Sequence, residues 1–298
     1  MSCYHPIKAF RTPDGVVFSA LRRYDIIGDI EIPCGQCIGC RLRRAQEWTL
    51  RIEHESRMWP QNCFVTLTYG RDRLPPGGSL DHRDFQLFMK RLRKAFRPFP
   101  IRFFMCGEYG PLNLRPHFHA CLFNVDFRDR IPQGKSGAGV VFFRSPLLEK
   151  LWPHGYSSVQ DLNSSAASYC ARYVLDKVTG DAAEAHYRTV DADGVIWDRK
   201  PEYCAMSLKP GIGATWWQKF GGDVYRHDVA VMSGREYSPP RYYDKLLKKS
   251  SEAYRLDEIE YKRAVRAKKS VADSTPERLA VREEVQKARA SFLKRSLE

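Results

Sequence analysis

The chain has 298 residues, 43% of them hydrophobic and 12% aromatic, with a net charge of +14. Those shares are globular values, enough for one large domain or two modest ones, and they exclude a disordered or fibrous chain. The charge calls for a polyanionic partner. Nucleic acid comes before membrane, because no apolar run is long enough to span a bilayer and the N-terminus lacks the apolar core of a signal peptide.

The nine cysteines are an odd count scattered through a long chain, which is not the pattern of a secreted disulfide framework. Cys63, Cys106, Cys121 and Cys170 sit among apolar neighbours and read as buried free thiols in a reducing compartment. Residues 15–18 and 26–32 read as short strands. Cys34, Cys37 and Cys40 follow as Cys-x-x-Cys-x-x-Cys, a spacing that points to metal when thiols stay reduced. Three thiolates need a fourth ligand for tetrahedral structural zinc (Zn²⁺), which Cys3 or His5 could supply. An iron–sulfur cluster, a redox-active cluster and an incidental one are the alternatives. Residues 41–58 read as a helix with Leu42, Ala45, Trp48, Ile52 and His54 inward and Arg43, Arg44, Arg51 and Arg57 outward.

Residues 63–69 read as a strand, 70–79 as a Gly/Pro-rich loop, and 81–97 as a helix capped by Ser79 or Asp81. Phe85, Phe88, Leu92 and Phe96 line one face of that helix. Lys90, Arg91, Arg93, Lys94 and Arg97 place five cations in eight positions at its far end, a surface suited to tracking DNA phosphates. Residues 101–108 and 115–123 then read as the two strands of a hairpin turning at 109–113. Alternation puts His117 and His119 on one face and Phe118, Ala120 and Leu122 on the other. Glu108 sits beside the turn, close to both imidazoles. Two neutral imidazoles and a carboxylate suit Mg²⁺ or Mn²⁺ when phosphate oxygens and water complete the shell, and would also suit Zn²⁺.

Residues 126–145 read as a loop. Its Gln133-Gly134-Lys135-Ser136 fails as a phosphate-binding loop, because Asp129 stands where the first glycine is required and no helix pattern follows. No nucleotide cofactor is therefore expected, and strand unwinding falls to a partner. Residues 147–151 read as a short helix and 155–162 as a strand. Residues 164–178 read as a helix with a serine N-cap and an apolar seam of Ala167, Cys170, Ala171, Val174 and Val178. Tyr169, Tyr173 and Lys177 fall at i, i+4 and i+8, a second stripe nearly opposite that seam. Lys177, one turn past Tyr173, is placed to lower the tyrosine's effective pKa or to bind a phosphate oxygen. Residues 180–235 mix turns with aromatic pieces, and Trp216-Trp217 suits a core or interface role better than base stacking. The rest is a charge-dense helical tail. The fold class is α+β, a mainly antiparallel sheet with flanking helices. It divides into a Cys-rich segment and basic helix (1–60), a core (61–180), an extension of the core (181–240) and the tail (241–298).

Three of these stretches together resemble the HUH single-strand endonucleases that initiate rolling-circle replication. They are Phe64-Val65-Thr66-Leu67-Thr68-Tyr69, Arg115-Pro116-His117-Phe118-His119 and Tyr169-x-x-x-Tyr173. A closer resemblance, over most of the chain, is to the replication initiators of gokushovirus-like microviruses. It adds Cys3-Tyr4-His5-Pro6, Cys34-Gly35-Gln36-Cys37-Ile38-Gly39-Cys40-Arg41 and Pro240-Arg241-Tyr242-Tyr243-Asp244-Lys245. The resemblance implies a metal-dependent enzyme that nicks and rejoins a single-stranded DNA origin through a 5′-phosphotyrosine, using Tyr169 and Tyr173 alternately. It also implies host helicase and replication proteins as partners, in the cytoplasm of a host bacterium. An HUH transposase or plasmid initiator shares the chemistry. A zinc-stabilised nucleic-acid-binding protein without catalysis would explain the charge and the cysteines but leave the histidines and tyrosines without a role.

Overall fold

The structure is a computed structural model and describes residues 3–21, 23–110, 113–137, 139–172, 177–178, 180–191 and 193–291. These fall into two compact units, one drawn from 1–44 and 257–294, the other from 45–256. In the first unit, β1 (Ile7–Thr12), β2 (Gly15–Val17) and β3 (Gly28–Ile32) form an antiparallel sheet in the order β2-β1-β3. The sequence pattern does not announce β1, because only Ala9 and Thr12 are buried along it. Helix α1 (Ile38–Ser56) starts inside the cysteine repeat, earlier than its apolar spacing predicts.

The second unit continues with β4 (Asn62–Tyr69), α2 (His82–Ala95), β5 (Arg102–Tyr109), β6 (Pro116–Phe123), β7 (Ile131–Lys135), β8 (Val141–Arg144), α3 (Pro146–Leu151), β9 (Gly155–Asp161) and α4 (Ser164–Arg172). After them come α5 (Ala182–Tyr187), β10 (Arg188–Val190), β11 (Ile196–Asp198), β12 (Tyr203–Met206), α6 (Ala214–His227), β13 (Ala230–Met232), β14 (Arg235–Tyr237) and α7 (Arg241–Lys248). Seven strands make one antiparallel sheet in the order β12-β5-β6-β4-β9-β8-β7. One face carries Val65, Leu67, Met105, Phe118, Ala120 and Leu122 against Phe85, Phe88, Met89 and Leu92 of α2 and Leu148 of α3. The other carries Phe64, Phe104, Cys106, Cys121 and Phe123 against Ile52 of α1 and Ala166, Ala167, Cys170 and Ala171 of α4. With both faces covered, every residue of β6 is buried.

Several local expectations change. The stretch 126–145 is not a plain loop. It holds the β7–β8 hairpin, whose residues are mostly exposed and so carry no apolar alternation. Arg51 does not face solvent. Its guanidinium lies 3.9 Å from the Trp48 ring and 4.0 Å from the Tyr242 ring, and its Nε donates to the Ile212 carbonyl at 3.0 Å. Stacking between two rings and a carbonyl replaces the water it gives up. Asp81 caps α2, accepting from the Arg83 amide at 2.9 Å. Asn163, not a serine, caps α4, its Oδ1 accepting from the Ala166 amide at 2.9 Å, while the Ser164 hydroxyl donates to Glu53. Helix α4 ends at Arg172, and Lys177 and Val178 are not helical. Trp216 stacks on His54 with ring centroids 3.4 Å apart and lies beside Tyr243, so it is a packing residue.

Glu55, fully buried, holds α1 to the rest of its unit. Its carboxylate accepts from Arg102 Nε at 2.6 Å, Trp59 Nε1 at 3.0 Å and the Gly213 amide at 2.7 Å, and Arg102 also donates to the Pro210 carbonyl at 2.7 Å. Glu55→Ala strands a buried guanidinium, so it is expected to cost about 3–5 kcal/mol, measured as a lowered urea midpoint. An unchanged midpoint would contradict the role given to this network.

The chain returns to the first unit with α8 (Arg255–Lys268) and α9 (Pro276–Ser291). Leu279 of α9 packs with Tyr4 and Cys37, and Glu283 pairs with His5 at 2.8 Å. Among the described residues no helix is long and apolar enough to cross a membrane.

Candidate metal centre

The β5–β6 hairpin register sets Glu108 directly across from His117, and alternation along β6 brings His119 to the same face. Their ligand atoms lie within 4.8 Å of one another, and all three residues are buried. Both Nε2 atoms converge on one oxygen, Glu108 Oε1, at 2.5 Å from His117 and 2.9 Å from His119. The opposite ring nitrogens are held from behind. His117 Nδ1 donates to the Arg115 carbonyl at 3.0 Å, and His119 Nδ1 meets the Thr66 hydroxyl at 2.9 Å. Thr66 is across from His119 on β4.

This arrangement fits a divalent cation. His117 faces an oxygen acceptor with each nitrogen, so it needs either two protons or a cation between Nε2 and the carboxylate. Glu108 Oε2 is buried without a hydrogen-bond partner, an acceptor that a cation would satisfy. Burial pushes the Glu108 carboxyl up, but the two imidazoles outweigh it and hold it below the usual range, ionised as a ligand must be. The orienting contacts on Nδ1 are those that fix the tautomer of metal-binding histidines.

Tyr169 of α4 is buried beside the cluster, its ring edge-on to His119 with centroids 5.0 Å apart and near Phe64. It does not lie opposite the apolar seam. Ala166, Ala167, Cys170 and Ala171 are small enough for α4 to sit close on the sheet, and Tyr169, about 100° round the helix from Cys170, leans over the sheet margin. Tyr173 lies outside the described residues. Lys177 is exposed and beyond the end of α4, so it does not extend a tyrosine stripe on that helix. The thiols of Cys106 and Cys170 are 3.5 Å apart behind His119, free and buried. The α2 cations are on the other side of the sheet, because α2 packs on the face opposite the cluster. There Lys90, Lys94 and Arg97 are exposed, while Arg91 donates to the Leu151 carbonyl at 2.8 Å and Arg93 to the Ile101 carbonyl at 3.4 Å. Thr66 is the residue the sequence pattern underplays, though its place in the 64–69 strand was the available signal.

In the first unit, Cys3, Cys34, Cys37 and Cys40 converge, all sulfurs within 4.8 Å. Cys3 completes the set, while His5 is turned to Glu283. The Cys3–Cys34 and Cys3–Cys37 sulfur separations are 3.5 and 3.9 Å. A tetrahedral zinc with bonds of about 2.3 Å sets sulfurs about 3.8 Å apart. Burial opposes ionisation of Cys37, yet the backbone amides of Tyr4 and Cys40 and the neighbouring thiols bring it down to about 7. Burial and those thiols push Cys40 up to about 12, as expected of a cluster that shares one negative charge until a cation arrives.

The family described as Replication-associated protein ORF2 matches residues 62–178, which span β4 to α4 and include Glu108, His117, His119, Tyr169 and Tyr173. The chain is 32% identical over 261 residues to the replication-associated protein VP4 of Bdellovibrio phage phiMH2K, covering 84% of this chain and 78% of that one. It is 28% identical over 298 residues to the replication-associated protein ORF2 of Spiroplasma virus 4, covering 91% and 88%. It is 26% identical over 272 residues to the replication-associated protein ORF4 of Chlamydia phage 1, covering 88% and 60%. No solved structure matches the chain.

Proposed function

This chain belongs to the replication-associated proteins of microvirus-like phages, and from that membership we propose that it is a site-specific endonuclease and strand transferase for single-stranded DNA that starts and ends rolling-circle replication. The observation that carries the proposal is the buried Glu108–His117–His119 set with the Tyr169 ring against His119.

A tyrosine phenol serves this reaction because it can attack and later leave. Its oxygen bonds to the scissile phosphorus, its proton departs, the phosphorus–O3′ bond breaks and the leaving 3′ oxygen takes up a proton. The 5′ phosphate then remains on the tyrosine, the ester linkage is kept, and a free 3′-hydroxyl can reverse the step without ATP. Tyr169 and Tyr173 are the two nucleophiles, one holding the first 5′ end while the other cuts the regenerated origin. A Mg²⁺ or Mn²⁺ ion held by Glu108, His117 and His119 would polarise the scissile phosphate and offset its developing charge. The Arg115 carbonyl and the Thr66 hydroxyl hold the two imidazoles in the geometry that binding requires. Lys177 and the α2 cations Lys90, Arg91, Arg93, Lys94 and Arg97 contribute to binding DNA phosphates, on surfaces away from the cluster. The four N-terminal cysteines hold a structural zinc. A host helicase supplies unwinding, and the protein works in the host cytoplasm.

The test is incubation with a phage-type single-stranded origin and Mn²⁺, followed by a denaturing gel. A protein band shifted by attached DNA is expected, and it should vanish in the Tyr169→Phe, Tyr173→Phe double variant. An adduct that survives the double variant places the nucleophile elsewhere. Tight DNA binding with no adduct on any origin leaves the non-catalytic binder.

A further inference from the structure

The cluster sits in a row of side chains that runs across the sheet. Glu108 is opposite His117, His117 is opposite Thr68, and Thr68 is opposite Tyr156 at the start of β9. Directly opposed residues of antiparallel strands project to the same face, so all four lie on the metal face. Burial changes sharply along this row. Glu108 and His117 are buried, Thr68 is half-buried, and Tyr156 is 68% exposed. Helix α4 covers Phe64, which is opposite Gln160, but leaves the Tyr156 end of β9 open. Among the described residues the Tyr156 side chain makes no hydrogen bond and no ring contact. A tyrosine on a central strand normally buries most of its ring, so one left exposed beside a metal set needs an occupant.

The backbone fixes its position. Gly155 is where β9 crosses the end of β4, and a Cβ there would overlap the Gly70 amide and the Thr68 carbonyl. The Gly70 amide donates to the His154 carbonyl at 2.8 Å, which ties the turn after β4 to the start of β9. That turn carries Arg71 and Arg73, both exposed. Arg115, whose carbonyl holds His117, is the residue before β6. Arginines therefore border the same end of the sheet that exposes the tyrosine.

Resting on the proposed nicking function, we infer that Tyr156 is a stacking subsite for a nucleobase of the single strand next to the scissile phosphate, with Arg71, Arg73 and Arg115 following its phosphates. Two strand spacings of about 4.8 Å separate Tyr156 from His117, roughly 10 Å, or about three stacked-base rises of 3.4 Å. The base on Tyr156 thus belongs to a nucleotide within a few positions of the cut. An aromatic face accepts any base, so this subsite orients the strand without reading its sequence. Tyr156 is a positioning residue, too far from the cluster to be the nucleophile.

The test uses the full chain with Mn²⁺ and an oligothymidylate carrying one 2-aminopurine. Wild type should quench the 2-aminopurine on binding. Tyr156→Ala should lose the quenching and weaken binding between about fivefold and a hundredfold, while Tyr156→Trp and Tyr156→Phe keep both. Ultraviolet cross-linking to an oligonucleotide with 5-iododeoxyuridine should map to the peptide containing Tyr156. Equal quenching and affinity in Tyr156→Ala overturn the subsite and leave the nicking reading intact. A wild-type protein that binds no oligothymidylate overturns both.

Discussion

Glu108→Gln is expected to lower metal-dependent nicking by about a thousandfold or more, with DNA binding in the absence of metal unchanged. The substitution keeps the volume of the side chain and removes its charge. Glu108 is 2% exposed, its Oε1 is shared by both imidazoles and its Oε2 has no other partner. A carboxamide there is neutral and presents its amino group or its oxygen to the cation, so the site loses its only anionic ligand. Metal ions contribute several kcal/mol of transition-state stabilisation, and each 1.36 kcal/mol is about tenfold in rate. Thr66→Val removes only the hydroxyl that orients His119 and should cost about ten- to a hundredfold. Initial nicking rates across a Mn²⁺ titration check both. A Glu108→Gln protein that nicks at the wild-type rate would remove the cluster from the chemistry.

Cys37→Ser is expected to unfold the first unit. A structural zinc can contribute on the order of 10 kcal/mol to folding. The unit has little else to replace it: β1 buries Ala9 and Thr12 alone, β2 and β3 bury nothing, and the local apolar cluster is Tyr4, Cys37 and Leu279 with the partly buried cysteines and Ile38. Wild type should carry one zinc per chain by elemental analysis and resist protease in 1–44 and 257–291. Cys37→Ser, or wild type after chelation, should be cut in both stretches. A metal-free wild type with the same protease resistance would show that the thiols pack without an ion.

The site was legible where its geometry is local. The hairpin of β5 and β6 follows from period-two alternation around a short turn, and that register alone brings Glu108 to His117. The cysteine repeat was legible for the same reason, while its fourth ligand was left between Cys3 and His5. That choice depends on how the chain returns, with α9 engaging His5 through Glu283. Features that arise from long-range pairing were not legible. Strand β12 joins β5 from a region of turns and aromatics, and β7 and β8 pair with almost no buried residue between them. The orientation of Tyr169 depends on how closely a helix of small residues approaches the sheet, which a helical wheel does not contain. Tyr156 went unnoticed because exposure of a strand aromatic is a property of the finished sheet.

Mass spectrometry of the trapped protein–DNA adduct tests the central claim most directly. After nuclease and protease digestion, a nucleotide linked through its 5′ phosphate should be found on the peptide carrying Tyr169 or Tyr173, only when divalent metal was present. A linkage at any other residue, or cut origin with a free 5′ phosphate and no linked peptide, would contradict the phosphotyrosine mechanism.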